Sequence, residues 1–334
     1  MTAPRGTYAI LLGGLALLLA AAFVLSLVIG PAAIAWRPAL AALVSGVDDP
    51  MVLVMQEIRL PRALLALLVG AILGLSGAVL QGLLRNPLAE PGLLGIGSSA
   101  SLGAVISVYS GLAAIFPYAL PLCAMAGALL AVALIQLLAS RGSDSLSLIL
   151  AGIAVATLSG ALTSLALNLS PNPFAALEIV FWMMGSLADR SMVHVALAAP
   201  FILLGAVMLF AGARGLDALT LGEDVARSLG IRLERVRLLA TLGTALGVGA
   251  ATAVSGAIGF VGLIVPHILR PLVGGMPSRL LPASALGGAC LLLLADTAVR
   301  VILPDKDLKL GVVTALIGVP FFIVLLRRAR RAVS

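Results

Sequence analysis

Charge is what this sequence has least of. Only 10% of its 334 residues are Asp, Glu, Lys or Arg, and 61% are hydrophobic, whereas an ordinary soluble domain is roughly a quarter charged. That balance excludes a disordered chain and argues against a water-soluble globular domain. Cysteine is nearly missing. Cys123 and Cys290 both sit in apolar runs, so neither a disulfide framework nor a cysteine metal site is expected. Two histidines, His194 and His267, are too few for a histidine cluster, and lysine occurs only at Lys306 and Lys309. No Gly-x-x-x-x-Gly-Lys-Ser/Thr run occurs, so the chain has no P-loop of its own. Without a Ser/His/Asp order, paired carboxylates or His-x-x-x-His spacing, no catalytic residue, cofactor or metal site is expected, and an enzyme is disfavoured.

What is present is apolar sequence in long runs. A bilayer crossing needs about 20 apolar residues. Ten candidate spans can be marked, at 8–29, 61–83, 94–116, 119–139, 146–169, 192–212, 237–256, 258–271, 281–303 and 311–327. The expected fold is all-α, a polytopic membrane protein forming a single domain over 1–334. The first run is too long for a typical signal-peptide core and reads as an uncleaved helix. The eighth is short and interrupted by Gly256, Gly259, Gly262 and Pro266, which predicts a tilted or broken helix.

The net charge of +7 is distributed as membrane orientation requires, not as a nucleic-acid surface. With the N-terminus inside, the inner side holds Arg5, Arg85, Arg141, Arg214, Arg227, Arg232, Arg235, Arg237, Arg270, Arg279, Arg327, Arg328, Arg330 and Arg331. The outer side holds Arg37, Arg59, Arg62, Arg190, Arg300, Lys306 and Lys309. Fourteen against seven places both termini in the cytoplasm.

Gly70-x-x-x-Gly74 and Gly243-x-x-x-Gly247 predict close helix packing. Ser76-Gly77 and Ser255-Gly256, on runs of opposite direction, hint at an inverted repeat. The longest polar stretch, about 214–237, alternates charges with Leu219, Leu221, Val225, Leu229 and Ile231 around Gly222 and Gly230. It fits two short amphipathic helices joined by a glycine turn, or a solvated loop. Intramembrane carboxylates, the usual mark of ion coupling, are few. Asp296 is the best candidate, but Arg300 four residues on predicts a local ion pair. Glu178 and Trp182 fall in a short outer or re-entrant segment. His267, after Pro266, is expected to bond a freed carbonyl. Energy coupling is therefore assigned to a partner chain.

Several stretches together resemble one family. They are Arg59-Leu-Pro-Arg62, Gly77-Ala-Val-Leu-Gln81-Gly-Leu-Leu-Arg85-Asn86-Pro-Leu-Ala-Glu-Pro91-Gly-Leu-Leu-Gly95, Phe181-Trp-Met-Met-Gly-Ser-Leu187, Leu221-Gly-Glu-Asp-Val-Ala-Arg-Ser-Leu-Gly230, Gly259-Phe-Val-Gly-Leu-Ile-Val-Pro-His267-Ile-Leu-Arg270, Leu281-Pro-Ala-Ser-Ala285 and Gly311-Val-Val-Thr-Ala-Leu-Ile-Gly-Val-Pro-Phe321. The pattern, over about 56–328, resembles the FecCD-type permeases of ABC importers for iron–siderophore complexes, haem and cobalamin. The resemblance implies the type II importer architecture, with ten helices per subunit and a homodimer whose pathway follows the two-fold axis. It also implies two copies of a cytoplasmic ABC ATPase, a periplasmic or lipid-anchored substrate-binding protein, and residence in the bacterial inner membrane.

Site residues follow from the same resemblance. Arg59, Arg62 and Arg300 match arginines that receive acidic residues of the binding protein, a task suited to the planar, bidentate guanidinium; helix anchoring is the plainer alternative for Arg62. Leu221, Gly222, Glu223, Asp224, Val225, Ala226, Arg227, Leu229 and Gly230 match the coupling helices. There Gly222 makes the turn, Glu223, Asp224 and Arg227 the polar contacts, and Val225, Ala226 and Leu229 the buried face. Asn86, with Arg141, Ser143, Asp144, Ser145 and Ser147, matches the cytoplasmic gate. The stretch Asp305-Lys306-Asp307-Leu-Lys309-Leu-Gly311 departs from the family's usual Glu-Leu-Pro-Val-Gly, so binding-protein contacts there are expected to differ. Ferric siderophore is the first expectation for cargo, with haem or cobalamin as alternatives. An ion-coupled secondary transporter acting alone is the competing class.

Overall fold

The computed structural model describes residues 5–30, 35–45, 49–116, 118–138, 145–170, 173–302 and 308–331, and among them the regular elements are all helical. Helix α1 (Arg5–Val28) is followed by short helices α2 (Trp36–Ala42) and α3 (Pro50–Leu53). A π-helical turn, Val54–Arg59, runs into α4 (Leu60–Leu83), and a 3-10 turn, Pro91–Leu94, precedes α5 (Ile96–Tyr109) and the single turn α6 (Leu112–Ile115). Then come α7 (Ala119–Leu138), α8 (Ser145–Asn168), α9 (Pro173–Met183) and α10 (Met192–Ala211). Two short helices, α11 (Ala213–Leu219) and α12 (Glu223–Ser228), lead to α13 (Leu233–Ser255), α14 (Val261–Val273), α15 (Pro277–Ile302) and α16 (Leu310–Arg331).

Seven of these helices are long and apolar enough to cross a membrane, and three shorter apolar ones lie at Ile96–Tyr109, Val261–Val273 and Leu310–Leu325. Together they coincide with the ten spans marked in the sequence. Two are much shorter than a bilayer is thick. The run 94–116 becomes a 14-residue α5 because Gly95 (φ 65°) and Gly111 (φ 72°) hold left-handed backbone on either side of it. The broken eighth span becomes the 13-residue α14, bounded by left-handed Phe260 and Gly274. The Glu178–Trp182 segment is α9.

Burial decides the arrangement. Of the most apolar windows, 78% of that in Pro50–Leu83 and 78% of that in Leu233–Ser255 are buried, against 17% for Gly6–Val28 and 28% for Met192–Ala211. Helices α4 and α13 therefore form the centre, and α1, α7, α8 and α10 surround them. The centre is made of small residues, because dispersion between close backbones replaces the hydrophobic effect inside lipid. A Cβ added at Gly70 would lie 2.9 Å from Cα of Ala289, and one at Gly74 would lie 3.2 Å from Cα of Gly288. Helices α4 and α15 thus touch backbone to backbone. Gly74→Leu is expected to force them apart and cost at least about 1–3 kcal/mol; the thermal transition of the detergent-solubilised protein should fall accordingly.

The start of α4 carries a second device. Pro61 has no N–H to donate into the preceding turn. The π register at Val54–Arg59 widens the helix just ahead of it, where the lost bond is absorbed. Arg59 ends this turn and points inward. At the far end of α4, a Cβ on Gly82 would sit 3.7 Å from the Leu216 side chain, so α11 packs at the end opposite the Arg59 cluster.

Candidate functional site

The three arginines assigned to one end of the molecule do come together, two of them on an internal carboxylate and the third on the end of α1. Asp296 on α15 is fully buried. Arg62 Nε donates to both its oxygens at 3.0 Å and Arg62 Nη2 to Oδ1 at 2.9 Å. Arg300 Nε lies 3.3 Å from Oδ2. Arg300 also donates to the Ser26 and Ile29 carbonyls at 3.0 and 2.8 Å and to Ser26 Oγ at 2.8 Å. Arg59 Nη1 donates to the Leu27 and Val28 carbonyls at 2.9 and 2.7 Å. A helix C-terminus presents unpaired carbonyls and partial negative charge. Two arginines therefore hold the end of α1, and two share Asp296. The docking expectation places all three on a surface; the geometry turns Arg59 inward at 4% exposure, and the Arg300 side chain at 7%. Arg62, at 17%, keeps the most exposed side chain of the three. The local pair of Asp296 with Arg300 is present, and the stronger partner, Arg62, is one that sequence spacing alone does not reveal across 234 positions.

At the opposite end, 214–237 forms two short helices around a glycine, the first of the two readings that the charge pattern leaves open. Gly222 takes φ 106° and ψ 156°, a conformation open to glycine, and α12 starts immediately after it. Glu223 accepts from Arg237 Nη2 at 2.9 Å and lies 3.7 Å from Arg227, so α12 is tied to α13. Asp217 accepts from the Ser278 N–H at 2.8 Å, which ties α11 to the start of α15. Of the expected buried face only Ala226 is buried within this chain. Leu221, Val225 and Leu229 are 63%, 44% and 61% exposed. They form an apolar edge on a braced helix pair, flanked by exposed Asp224 and by Arg227.

The residues expected at the gate are only partly described. Arg141, Ser143 and Asp144 lie outside the described residues; Ser145 opens α8, and Ser147 on its first turn is half-buried. Asn86 Oδ1 accepts from the Leu88 N–H at 2.9 Å, and its carbonyl accepts from the Ala89 N–H at 3.1 Å. Its side chain therefore shapes the turn that reverses the chain after α4. What touches α8 is the next segment: a Cβ on Gly152 would lie 2.8 Å from Cα of Leu94.

That segment also contains a residue to which the sequence analysis assigned no role. Glu90 lines a cavity of about 480 Å³ with Ser101, Thr163, Thr252 and Phe260. Its carboxylate accepts the backbone N–H of Phe260, and burial pushes its pKa above the ordinary carboxylate value, a rise that this hydrogen bond opposes. Nearby, Gln81 Nε2 donates to the Gly262 carbonyl at 3.2 Å and Arg270 Nη2 donates to Gln81 Oε1 at 2.6 Å. The His267 ring meets the Phe321 ring edge-on at 5.7 Å. A lone carboxylate between Ala89 and Pro91 in so apolar a chain was the available signal. Raised in the folded state, Glu90 binds more protons folded than unfolded, so its contribution falls as pH rises above the ordinary carboxylate value. Glu90→Gln should therefore raise the unfolding temperature near neutral pH and flatten its decline between acid and neutral pH. A wild-type slope retained in the variant would assign that slope to other groups.

The chain is similar to several known proteins. The model of the FecCD transport family matches residues 18–328. The uncharacterized ABC transporter permease protein YvrB of Bacillus subtilis is 42% identical over 292 residues, covering 86% of this chain and 82% of that one. The vitamin B12 import system permease protein BtuC of Salmonella typhi is 43% identical over 280 residues, covering 82% and 84%. The hemin transport system permease protein HmuU of Yersinia pestis is 40% identical over 293 residues, covering 85% and 86%. A solved metal-chelate type ABC transporter in an inward-facing conformation superposes with a TM-score of 0.85 at 36% identity, over 95% of this chain and 98% of that one.

Proposed function

This chain belongs to the FecCD transport family, and from that premise we propose that it is the membrane channel of a binding-protein-dependent importer for ferric siderophores. It is a permease of the ABC-importer class whose relatives serve metal chelates, vitamin B12 or haem. In the proposed assembly two copies pair about the transport axis in the bacterial inner membrane, with both termini cytoplasmic. Two ABC ATPase subunits hydrolyse ATP on the inner side, and a substrate-binding protein delivers cargo on the outer side.

The observation that carries this reading is the braced pair α11 and α12 with Leu221, Val225 and Leu229 exposed. An apolar edge fixed to α13 and α15 by Glu223–Arg237 and Asp217–Ser278 can transmit a push, which a loose loop cannot. At the other end, docking of the binding protein is assigned chiefly to Arg62, whose side chain is the most exposed of the three arginines. The cytoplasmic gate is assigned to the Asn86 turn and the start of α8.

Purifying the tagged chain from its native membrane in mild detergent tests the assembly. An ABC ATPase and a binding protein should co-purify, and the binding protein should show a ferric-chelate absorption spectrum. A haem or corrin spectrum would reassign the cargo. Transport by the chain without any ATPase would overturn the reading in favour of an ion-coupled carrier.

A further inference from the structure

A second cavity lies at the α11 end, between the last turn of α10 and the first turns of α13. Its volume is about 410 Å³, and Arg214, Arg232 and Arg235 line it together with Gly215, Val236 and Leu239. Three exposed arginines border one concavity. Their neighbours Arg227 and Arg237 are paired with Glu223, whereas Arg214, Arg232 and Arg235 have no side-chain hydrogen bond or ion pair with any described residue. Glu234, between two of them, is exposed and does not line the cavity. Like charges gathered without a counter-charge repel one another and raise the local potential, so the cavity attracts an anion.

The walls say which kind. Helix α10 is of membrane-crossing length and ends at Ala211, on the cavity's rim. One turn back along α10, Val207 and Phe210 are exposed, and so is Leu238 on the first turns of α13. The basic groups thus stand where the apolar span stops, and an outward apolar surface continues from them along the helices. That sequence of polarity matches a phospholipid, with a charged head at the boundary and acyl chains along the span. We propose that this cavity binds the headgroup phosphate of an anionic phospholipid of the cytoplasmic leaflet, such as phosphatidylglycerol or cardiolipin. The planar guanidinium fork suits phosphate oxygens better than a point charge does. The Val236 side chain packs on Gly215 of α11, so a lipid seated here bears on α11 and α13 together, beside the helix pair that would receive the ATPase. The proposal rests on the orientation given above, in which this end is cytoplasmic.

The test uses the full chain purified from its own membrane. Native mass spectrometry and lipid extraction should find phosphatidylglycerol or cardiolipin retained by the wild type. Each arginine near an anionic surface contributes about a fivefold gain in affinity, so Arg214→Gln with Arg232→Gln and Arg235→Gln should weaken retention on the order of 100-fold. The triple Arg→Lys variant keeps the charge, reports on folding, and should retain most of the lipid. In nanodiscs, adding cardiolipin to phosphatidylcholine should raise the unfolding temperature of the wild type and not of the triple Gln variant. Equal lipid retention in both proteins would overturn the proposal. So would stabilisation by inorganic phosphate as strong as that by cardiolipin, which would make the site one for a free anion. Release of the ATPase from the triple Gln variant with lipid retention unchanged would make it a protein contact instead. Failure of the orientation reading shows separately, as labelling of Leu221→Cys by a membrane-impermeant thiol reagent added from outside.

Discussion

Val225→Asp combined with Leu229→Asp is expected to leave the permease folded and inserted, release its ATPase, and abolish uptake. Leu229 is mostly exposed and Val225 is 44% exposed in this chain, so the change removes little internal packing, and the ties that brace α12 run through Glu223 and Arg237. Across an interface the same positions are apolar anchors. Two such anchors at about 2 kcal/mol each give roughly 4 kcal/mol, or about a thousandfold in affinity, before the cost of desolvating two new carboxylates. Co-purification of the ATPase and stimulation of its hydrolysis by loaded binding protein are the readouts. Expression and gel-filtration profile should match the wild type. If the ATPase stayed bound and hydrolysis still answered the loaded binding protein, α12 would not be the coupling element. Glu223→Arg should act differently: it removes the pairings with Arg237 and Arg227 and gathers three cations, so it loosens α12 and uncouples hydrolysis from uptake more than it releases the ATPase.

The segment 214–237 shows why much of this molecule is legible in its sequence. Periodic apolar runs mark the spans because a bilayer demands length and internal hydrogen bonding, and α7, α8, α10 and α16 lie within a few residues of their runs. Charges alternating with leucines around Gly222 allow two short helices or a solvated loop, and the structure forms the helices. What stays hidden is set by contacts distant along the chain. Arg62 and Asp296 are far apart in sequence, and the nearer Arg300 is the obvious partner by spacing. Leu27 and Val28 show no sign in sequence that their carbonyls will receive Arg59. The lengths of α5 and α14 escape hydropathy for another reason: left-handed backbone at Gly95, Gly111 and Phe260 ends helices inside apolar runs, and apolarity reports only that a segment is buried in something.

The largest stability effect belongs to the arginine cluster. Asp296→Asn is expected to cost on the order of 3–5 kcal/mol, the range for uncompensating a buried ion pair. Arg62 would lose its bidentate anion, and Arg62 and Arg300 would face each other across a neutral amide, with Arg59 close by on the end of α1. The damage should spread along α1, whose last carbonyls are held by Arg59 and Arg300, so protease sensitivity after Val28 should rise together with the loss of thermal stability. Adding Arg62→Gln to Asp296→Asn removes one of the stranded cations and should restore part of the stability. A double-mutant cycle over the four proteins isolates the pair. Arg62→Gln alone should be the milder change, because Asp296 keeps Arg300 at 3.3 Å. The same cycle separates structure from docking. If Arg62→Gln weakens capture of the binding protein while the melting temperature barely moves, Arg62 serves the interface and Asp296 holds it in position. If capture tracks stability through all four proteins, the cluster is a helix clamp and the binding protein reads a different part of this end. If Asp296→Asn is as stable as the wild type, the three arginines do not depend on that carboxylate, and the inward-turned geometry is not what holds α1 in place.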